Sequence, residues 1–136
     1  MKNINIKIGD TYYTIEEGDN VVGKIHTVKS ITKETTNRGD RVIKIDNYNP
    51  HEVYDYEECV ARILLTKIYR ILPNLSATSD LPERIMKAKD NEFNIYEDYA
   101  FIKNGDGLAI YERIEDKTQL IYKELGGKLC WKIIKF

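Results

Sequence analysis

Polar and apolar residues alternate along the first third of the chain, which predicts β-strands over residues 3–46. Three isoleucines share one face of the first alternating run: Ile4, Ile6 and Ile8. The apolar spacing over residues 22–33 drifts away from strict alternation, so we expect a bulge or a bend there. Residues 36–40 are polar and contain a glycine, as is typical of a hairpin tip, and residues 41–45 then form the returning strand.

The middle of the chain, residues 49–89, has the periodicity of helices. Asn49 is a good N-cap, Pro50 suits the first helical position, and Glu52 completes the spacing of a capping box. An apolar stripe follows at helical spacing, and Pro73 ends it. The stripe consists of Tyr56, Val60, Ile63, Leu64, Ile68, Ile71 and Leu72. The pattern therefore predicts one long helix.

A shorter helix is predicted over residues 80–89, with Ile85, which has Met86 beside it, as the inward anchor. The chain then returns to alternating apolar runs, which polar and glycine-rich turns separate. The predicted turns are residues 104–107, 115–117 and 125–128, and the last one leads into a strand over residues 129–133. Connections this short cannot make parallel crossovers, so we expect an antiparallel meander.

Strand blocks on both sides of a helical block indicate the α+β class. We expect antiparallel sheets from the N-terminal and C-terminal blocks to pack on the long central helix and the short helix. A length of 136 residues fits a single domain over residues 1–136.

Charge and cysteine content narrow the functional classes. The 21 basic and 22 acidic side chains give a net charge of −1, which argues against a dedicated nucleic-acid-binding protein. Cys59 and Cys130 are expected to be buried, reduced thiols, and the alternative is one disulfide in an oxidising compartment. The N-terminal run lacks the continuous apolar segment of a signal peptide, and the longest uncharged stretch, residues 71–79, is too short to cross a membrane. We therefore expect a cytoplasmic protein.

The amino-acid usage indicates the origin of the gene. Nineteen isoleucines stand against five alanines, and lysine, asparagine and tyrosine are abundant. The codons of isoleucine, lysine, asparagine and tyrosine are AT-rich, whereas those of alanine are GC-rich. This bias therefore predicts a low-GC bacterium, or a phage or plasmid that replicates in one. It carries no information about function.

Several short motifs have both a chemical and a structural interpretation. His51, Glu52 and Asp55 have the spacing of a zinc-protease helix whose second histidine is replaced, but Glu52 already has a capping role. Glu115 and Lys117, with Asp98 or Asp106, have the residue types of a metal-dependent nuclease but lie at predicted turns. The glycines at 105, 107, 126 and 127 lie between strands, where a hairpin explains them better than a phosphate loop does.

Two further motifs favour structural interpretations. Residues 38–40 match an integrin-binding tripeptide, which a hairpin tip also explains. His26 is expected to be a half-buried or surface histidine of a strand, and no nucleophile signature accompanies it or His51. We therefore expect no catalytic residue, no metal site and no cofactor.

Charge and tyrosine are unevenly distributed. Residues 46–58 hold five acids and no lysine or arginine, together with three tyrosines, and residues 90–98 hold four acids and no base. Residues 24–44 hold six bases against two acids. If the two acidic stretches meet, they form an acidic, tyrosine-rich face, although acids at helix starts and tyrosines in the core would explain the same pattern.

The main hypothesis is a non-catalytic interaction protein that binds a basic protein surface through this face. A phage or mobile-element accessory or inhibitor protein that engages a host protein is the expected class. The predicted partner-binding residues are Tyr54, Tyr56, Glu57, Glu58, Tyr96, Glu97 and Asp98.

Three alternatives stay open. The first is a small nucleotide- or nucleic-acid-binding module that uses the basic arm over residues 24–44, with phosphate contacts from Lys29, Lys33, Arg38 and Arg41. The second, weaker one is a metal-dependent hydrolase. The third concerns assembly, because a terminal strand near Phe136 would offer an unpaired edge to a second copy of the chain.

Overall fold

The computed structural model describes residues 5–73, 75 and 80–124, and in these ranges it contains eight strands and two α-helices. All strand pairs are antiparallel, so the α+β class with one long and one short helix is confirmed. The chain divides into two compact units, residues 1–59 and residues 60–136. A single domain over the whole chain stays a prediction.

The first unit contains two antiparallel hairpins. One hairpin joins β1 (Thr11–Glu17) to β2 (Val21–Thr27), and the other joins β3 (Ile31–Thr35) to β4 (Arg41–Ile45). The interruption between β2 and β3 confirms the expected bend. At the predicted tip, the Thr36 N–H donates to the Asp40 carbonyl oxygen at 2.8 Å, and Gly39 has a φ of 82° that a side chain would disfavour.

The predicted strand at the N-terminus is wrong over the described part, because residues 5–8 form no strand. The Asp10 carboxylate accepts the Lys7 N–H at 2.9 Å, and the Asp10 N–H donates to the Lys7 carbonyl oxygen at 3.0 Å. This local turn provides hydrogen-bond partners for backbone groups without pairing the segment to another strand. Ile8 is consequently 68% exposed, while Ile6 packs on the core and Ile4 lies outside the described residues.

The start of the long helix also differs from the prediction. Asn49 and Pro50 begin only a short 3-10 turn (Pro50–Glu52), in which the Glu52 carboxylate accepts the Asn49 N–H at 3.1 Å. The α-helix α1 (Tyr56–Ile71) begins one turn later, where the Asp55 carboxylate accepts the Glu58 N–H at 2.7 Å. Between the 3-10 turn and α1, Tyr54 pairs with Tyr13 of β1 through backbone hydrogen bonds, which keep the chain extended. This extended segment separates the 3-10 turn from α1.

The second unit is a four-stranded meander with helices on one face. Its strands are β5 (Phe93–Tyr96), β6 (Tyr99–Asn104), β7 (Gly107–Ile114) and β8 (Lys117–Lys123), in the order β5-β6-β7-β8. Helix α1 and the short helix α2 (Leu81–Lys87) bury their apolar faces against the sheet. The buried cluster is Ala61, Leu64, Leu65, Ile68, Leu81, Ile85, Tyr96, Phe101, Leu108 and Ile110.

The predicted helical stripe and turns match this unit closely. Leu64 and Ile68 are fully buried, as predicted, whereas Tyr56 at the start of the stripe is 57% exposed. In α2, Ile85 is buried as predicted, but its neighbour Met86 is 48% exposed. The turns at residues 104–107 and 115–117 are confirmed by the terminal pairs of their hairpins. The predicted turn 125–128, the strand 129–133, Cys130 and Phe136 lie outside the described residues.

A buried lysine links α1 to the sheet. The Lys67 ammonium donates to the Asp106 carbonyl oxygen at 2.7 Å and forms an ion pair with Glu124. The Glu124 carboxylate also accepts the Tyr122 hydroxyl, so three elements of the unit share one polar network.

Cys59 is buried, as predicted, and its reduced state stays a prediction. No helix within residues 5–73, 75 and 80–124 is long and apolar enough to cross a bilayer.

Candidate functional site

A tight turn after β4 positions the most densely hydrogen-bonded side chain of the first unit. Asp46 and Asn47 have φ values of 48° and 70°, which place both in the left-handed region. Ile45 and Tyr48 close the turn with two backbone hydrogen bonds of 3.0 and 2.8 Å. Asp and Asn tolerate this conformation better than other side chains do, which explains the dipeptide at this position.

The carboxylate of Asp46 joins the turn to the connection between β2 and β3. It accepts the Tyr12 hydroxyl at 2.8 Å, the N–H groups of Lys29 and Ser30 at 3.0 and 2.8 Å, and the Ser30 hydroxyl at 3.3 Å. Burial raises the pKa of Asp46, but the hydrogen bonds from Tyr12, Ser30 and Lys29 outweigh it, so its pKa lies below the ordinary value. The carboxylate therefore stays ionised and fully hydrogen-bonded.

Three aromatic rings lie next to this carboxylate. Tyr12 and His26 form a cross-strand pair of β1 and β2, and their rings stack with centroids 4.9 Å apart. The Tyr48 ring is 5.4 Å from His26 and 6.2 Å from Tyr12. His26 Nε2 lies 2.7 Å from the hydroxyl oxygen of Thr14, which fixes the orientation of the imidazole. Burial and the hydrogen bond to Asp46 raise the pKa of the Tyr12 phenol, so it remains a neutral donor.

The rings and the carboxylate line an open cavity of about 620 Å³, which we call the Asp46 pocket. Its volume is in the range of small-molecule sites. The lining residues are Tyr12, Ile25, His26, Thr27, Lys29, Ser30, Asp46, Asn47 and Tyr48, all of the first unit.

Most of these residues were absent from the sequence predictions. His26 is half-buried, as expected, but the sequence assigns it no site, and only Lys29 was a predicted binding residue. The Asp46-Asn47 dipeptide is a turn signal that the sequence does contain. The contacts of Asp46 with Tyr12 span 34 residues, however, and no local pattern encodes them.

Four of the predicted partner-binding residues lie at the start of α1 in the first unit. Tyr54 pairs with Tyr13 of β1 through backbone bonds of 2.9 and 2.8 Å, and the Tyr13 and Tyr56 rings meet edge to face at 5.5 Å. Glu57 is exposed and Glu58 is half-buried in the first turn of the helix. We call Tyr13, Tyr54, Tyr56, Glu57 and Glu58 the tyrosine patch.

The other three predicted residues lie in the second unit, at the turn between β5 and β6. Tyr96 is only 6% exposed and belongs to the core, with the Arg84 guanidinium 5.6 Å from its ring centroid, so the expectation of a surface ring is wrong there. The turn residue Glu97 is exposed and has a φ of 54°. The carboxylate of Asp98 forms an ion pair with Arg113 at 2.8 Å.

The predicted phosphate-binding residues are all exposed in the first unit. Lys33 and Arg41 lie on the same face of the β3–β4 hairpin, since their cross-strand pairs are two positions apart, and Arg38 lies at its tip. Lys24 and Lys44 of the same arm form ion pairs with Glu16 and Glu34. Within the described ranges, Lys29, Lys33, Arg38 and Arg41 have no such partner.

The candidate catalytic motifs gain no support from the geometry. His51 lies in the 3-10 turn, and Asp55 caps α1. Glu115 lies in the tight β7–β8 turn with a φ of 57°. Among the residues that the structure describes, no three His, Cys, Asp or Glu side chains are grouped to hold a metal ion. Comparisons of the chain with protein-family models, with curated proteins and with solved structures give no match.

Proposed function

We propose that this chain is a non-catalytic interaction protein that binds a basic surface of another protein through the tyrosine patch. The observation that carries the proposal is that Tyr56 is 57% exposed, although the Tyr13 ring supports it from one side. A large, rigid ring that is held in place at the surface loses little entropy on binding.

The charges around the patch support a basic partner. Asp55, Glu57 and Glu58 are three acids within four residues at the start of α1, and residues 46–58 contain no lysine or arginine. Part of this charge stabilises the helix itself, because Asp55 is the cap and acids favour a helix N-terminus. Glu57 is exposed, and its charge is available to steer a basic partner toward the tyrosines.

The amino-acid usage supports an origin of the gene in a low-GC bacterium or in one of its mobile elements. A phage or mobile-element protein that inhibits a host protein, or acts as its accessory, would use an acidic face to cover a basic functional surface. The proposal depends only on the first-unit residues of the predicted set.

The test is recovery of a host protein on the immobilised chain. We expect a protein with a basic surface to be captured from a lysate of a low-GC bacterium. We expect the variants Tyr56→Ala and Glu57→Lys to reduce its recovery at least about tenfold, because each removes a contact or reverses a steering charge at the centre of the patch. Quantitative mass spectrometry of the eluted proteins measures the ratio.

The matched control is Asp19→Lys, the same reversal of charge at the exposed tip of the β1–β2 hairpin. Recovery should be unchanged for this variant, and circular dichroism should show that all variants fold. The variant Glu97→Lys tests separately whether the second unit contributes. Equal capture by the wild-type chain and by the two patch variants, or capture of acidic proteins only, would contradict the proposal.

Nucleic-acid binding by the basic arm is the second candidate function. It is favoured by the exposed cations of the β3–β4 hairpin, which have no ion-pair partner in the part of the chain that the structure describes; Lys33 and Arg41 share a face there, and Arg38 occupies the tip.

For this candidate, we expect a labelled 20-nucleotide strand to bind with an affinity that falls as the salt concentration rises. Each of Arg38→Ala and Arg41→Ala should lower the slope of log K against log salt by about one phosphate contact. Lys24→Ala is the control, because Lys24 is already paired with Glu16. Fluorescence anisotropy at several salt concentrations provides the measurement, and a salt-independent signal would reject the candidate.

A further inference from the structure

The Asp46 pocket contains polar groups that the fold does not use. Nδ1 of His26, the ammonium of Lys29, the side-chain amide of Asn47 and the hydroxyl of Tyr48 have no hydrogen-bond partner among the described residues. In the same ranges, no side-chain nitrogen or oxygen is both buried and unsatisfied. These groups are therefore open to solvent, and their residues line one cavity.

The unpaired polar groups of the pocket bind other partners than the carboxylate of Asp46, which is already hydrogen-bonded. Asp46 contributes the main acceptor of the pocket, but Tyr12, Lys29 and Ser30 already saturate its oxygens. What remains is rich in donors, since the Lys29 ammonium, the Asn47 amide and the Tyr48 hydroxyl all carry polar hydrogens. A ligand that complements them must be rich in acceptors and negatively charged, to match Lys29.

The aromatic lining adds a second requirement. His26 and Tyr48 are half-buried with ring centroids 5.4 Å apart, and the imidazole is fixed by Thr14 on one edge and by the Tyr12 ring on one face. Rings that are held in this way offer rigid surfaces for the face or edge of another ring. A pocket that combines such rings with a few convergent polar groups is typical of a small-molecule site.

We infer that the Asp46 pocket binds a small planar organic anion, in which a flat ring contacts His26 and Tyr48 and a negatively charged group reaches Lys29 and Asn47. The anionic group is a phosphate, as in a nucleoside monophosphate, or a carboxylate on an aromatic ring. The pocket shares no residue with the tyrosine patch, so this inference stands or falls independently of the proposed protein partner.

The test is a titration of the ¹⁵N-labelled chain with defined probes, followed by amide chemical shifts. AMP and salicylate supply the two kinds of anion on a ring, adenosine supplies a ring without charge, and inorganic phosphate supplies charge without a ring. We expect at least one of the ring-bearing anions to shift residues 26–30 and 46–48 with a Kd of about 1 mM or tighter. Adenosine and phosphate should each bind at least about tenfold more weakly.

Variants of the lining residues identify the side chains that bind the anion. Lys29→Ala should reduce the affinity for whichever of AMP and salicylate binds more tightly by about tenfold. The affinity should then equal that of the same ring without the charged group, which is adenosine for AMP and phenol for salicylate. Tyr48→Ala should reduce affinity for the anion and for that counterpart alike. Lys44→Ala is the matched control, because Lys44 is paired with Glu34 and does not line the pocket. Stronger binding of AMP assigns a phosphate, and stronger binding of salicylate assigns a carboxylate.

Three results would overturn the inference. The first is the absence of shifts in residues 26–30 and 46–48 with both anions at 10 mM. The second is an unchanged affinity of the Lys29→Ala variant. The third is equal binding of AMP and inorganic phosphate, which would show that charge alone is recognised and that the rings contribute nothing.

Discussion

Replacement of Lys67 by alanine is expected to lower the free energy of unfolding by about 2–3 kcal/mol. The Lys67 side chain is only 10% exposed, and it holds α1 against the β6–β7 turn at Asp106 and the end of β8 at Glu124. The loss of one partner of a buried pair is usually more costly than this. Here Glu124 is 39% exposed, so water can replace part of what its carboxylate loses. Urea unfolding at neutral pH measures the difference.

Two further variants separate charge from packing. Lys67→Met keeps most of the apolar stem, and its loss of stability should be smaller than that of the alanine variant. The double variant Lys67→Met/Glu124→Gln should recover part of the loss, because it removes the unpaired carboxylate as well. Lys123→Ala, an exposed lysine next to Glu124, is the control and should change stability by less than about 0.5 kcal/mol.

The same pair gives a defined dependence on pH. Burial raises the pKa of Glu124, but the hydrogen bonds from Lys67 and Tyr122 outweigh it, so its pKa in the folded chain lies below the ordinary 4.5. Because the folded pKa is the lower one, the stabilisation is fully present above pH 4.5 and is lost as the pH falls through the folded pKa. The difference between the wild-type chain and Lys67→Met should therefore be constant above pH 4.5 and should shrink as the pH falls below that value. A constant difference would contradict the role given to Glu124.

The fold could be predicted from the sequence wherever local signals agree with one another. The β3–β4 hairpin and the meander turns follow from polar and glycine-rich segments between alternating runs, and both match the structure. The predictions failed where a local signal competed with a distant partner. Asn49 and Pro50 are good helix-start residues, yet the backbone of Tyr54 pairs with Tyr13. The α-helix therefore begins only after Asp55, which caps it.

The candidate sites were less predictable, because surface and core residues of the same type look alike in sequence. Tyr56 and Tyr96 both lie beside acids, but one is exposed and the other is packed beneath α1 and α2. The Asp46 pocket depends on hydrogen bonds and ring contacts between residues 12 to 36 positions apart, so no window of periodicity reveals it.

Strand β1 connects the two candidate sites of the first unit. Successive side chains of a strand point to opposite faces, so Tyr12 faces the core and the Asp46 pocket while Tyr13 faces Tyr56 and the tyrosine patch. A ligand that orders Tyr12 and its neighbours would therefore also act on the strand that supports Tyr56. Partner capture in the presence of AMP or salicylate is a direct way to compare the two sites.

Replacement of Asp46 by alanine is expected to have the largest effect on the first unit, with a fall in melting temperature of roughly 10 °C. The substitution leaves the buried Tyr12 hydroxyl and the N–H groups of Lys29 and Ser30 without their acceptor. It also places alanine at a φ of 48°, which its Cβ disfavours. Thermal unfolding followed by circular dichroism measures the shift.

Two comparisons show whether the carboxylate itself is responsible. Asp46→Asn tolerates the left-handed backbone and keeps one acceptor oxygen, so its loss should be about half as large. Asp40→Ala makes the same change at the exposed tip of the neighbouring hairpin, and its melting temperature should stay within about 2 °C of the wild type. If the Asp46→Ala variant has the same melting temperature as the wild-type chain, the carboxylate does not stabilise the β2–β3 connection. That side of the pocket would then not be held in place by Asp46.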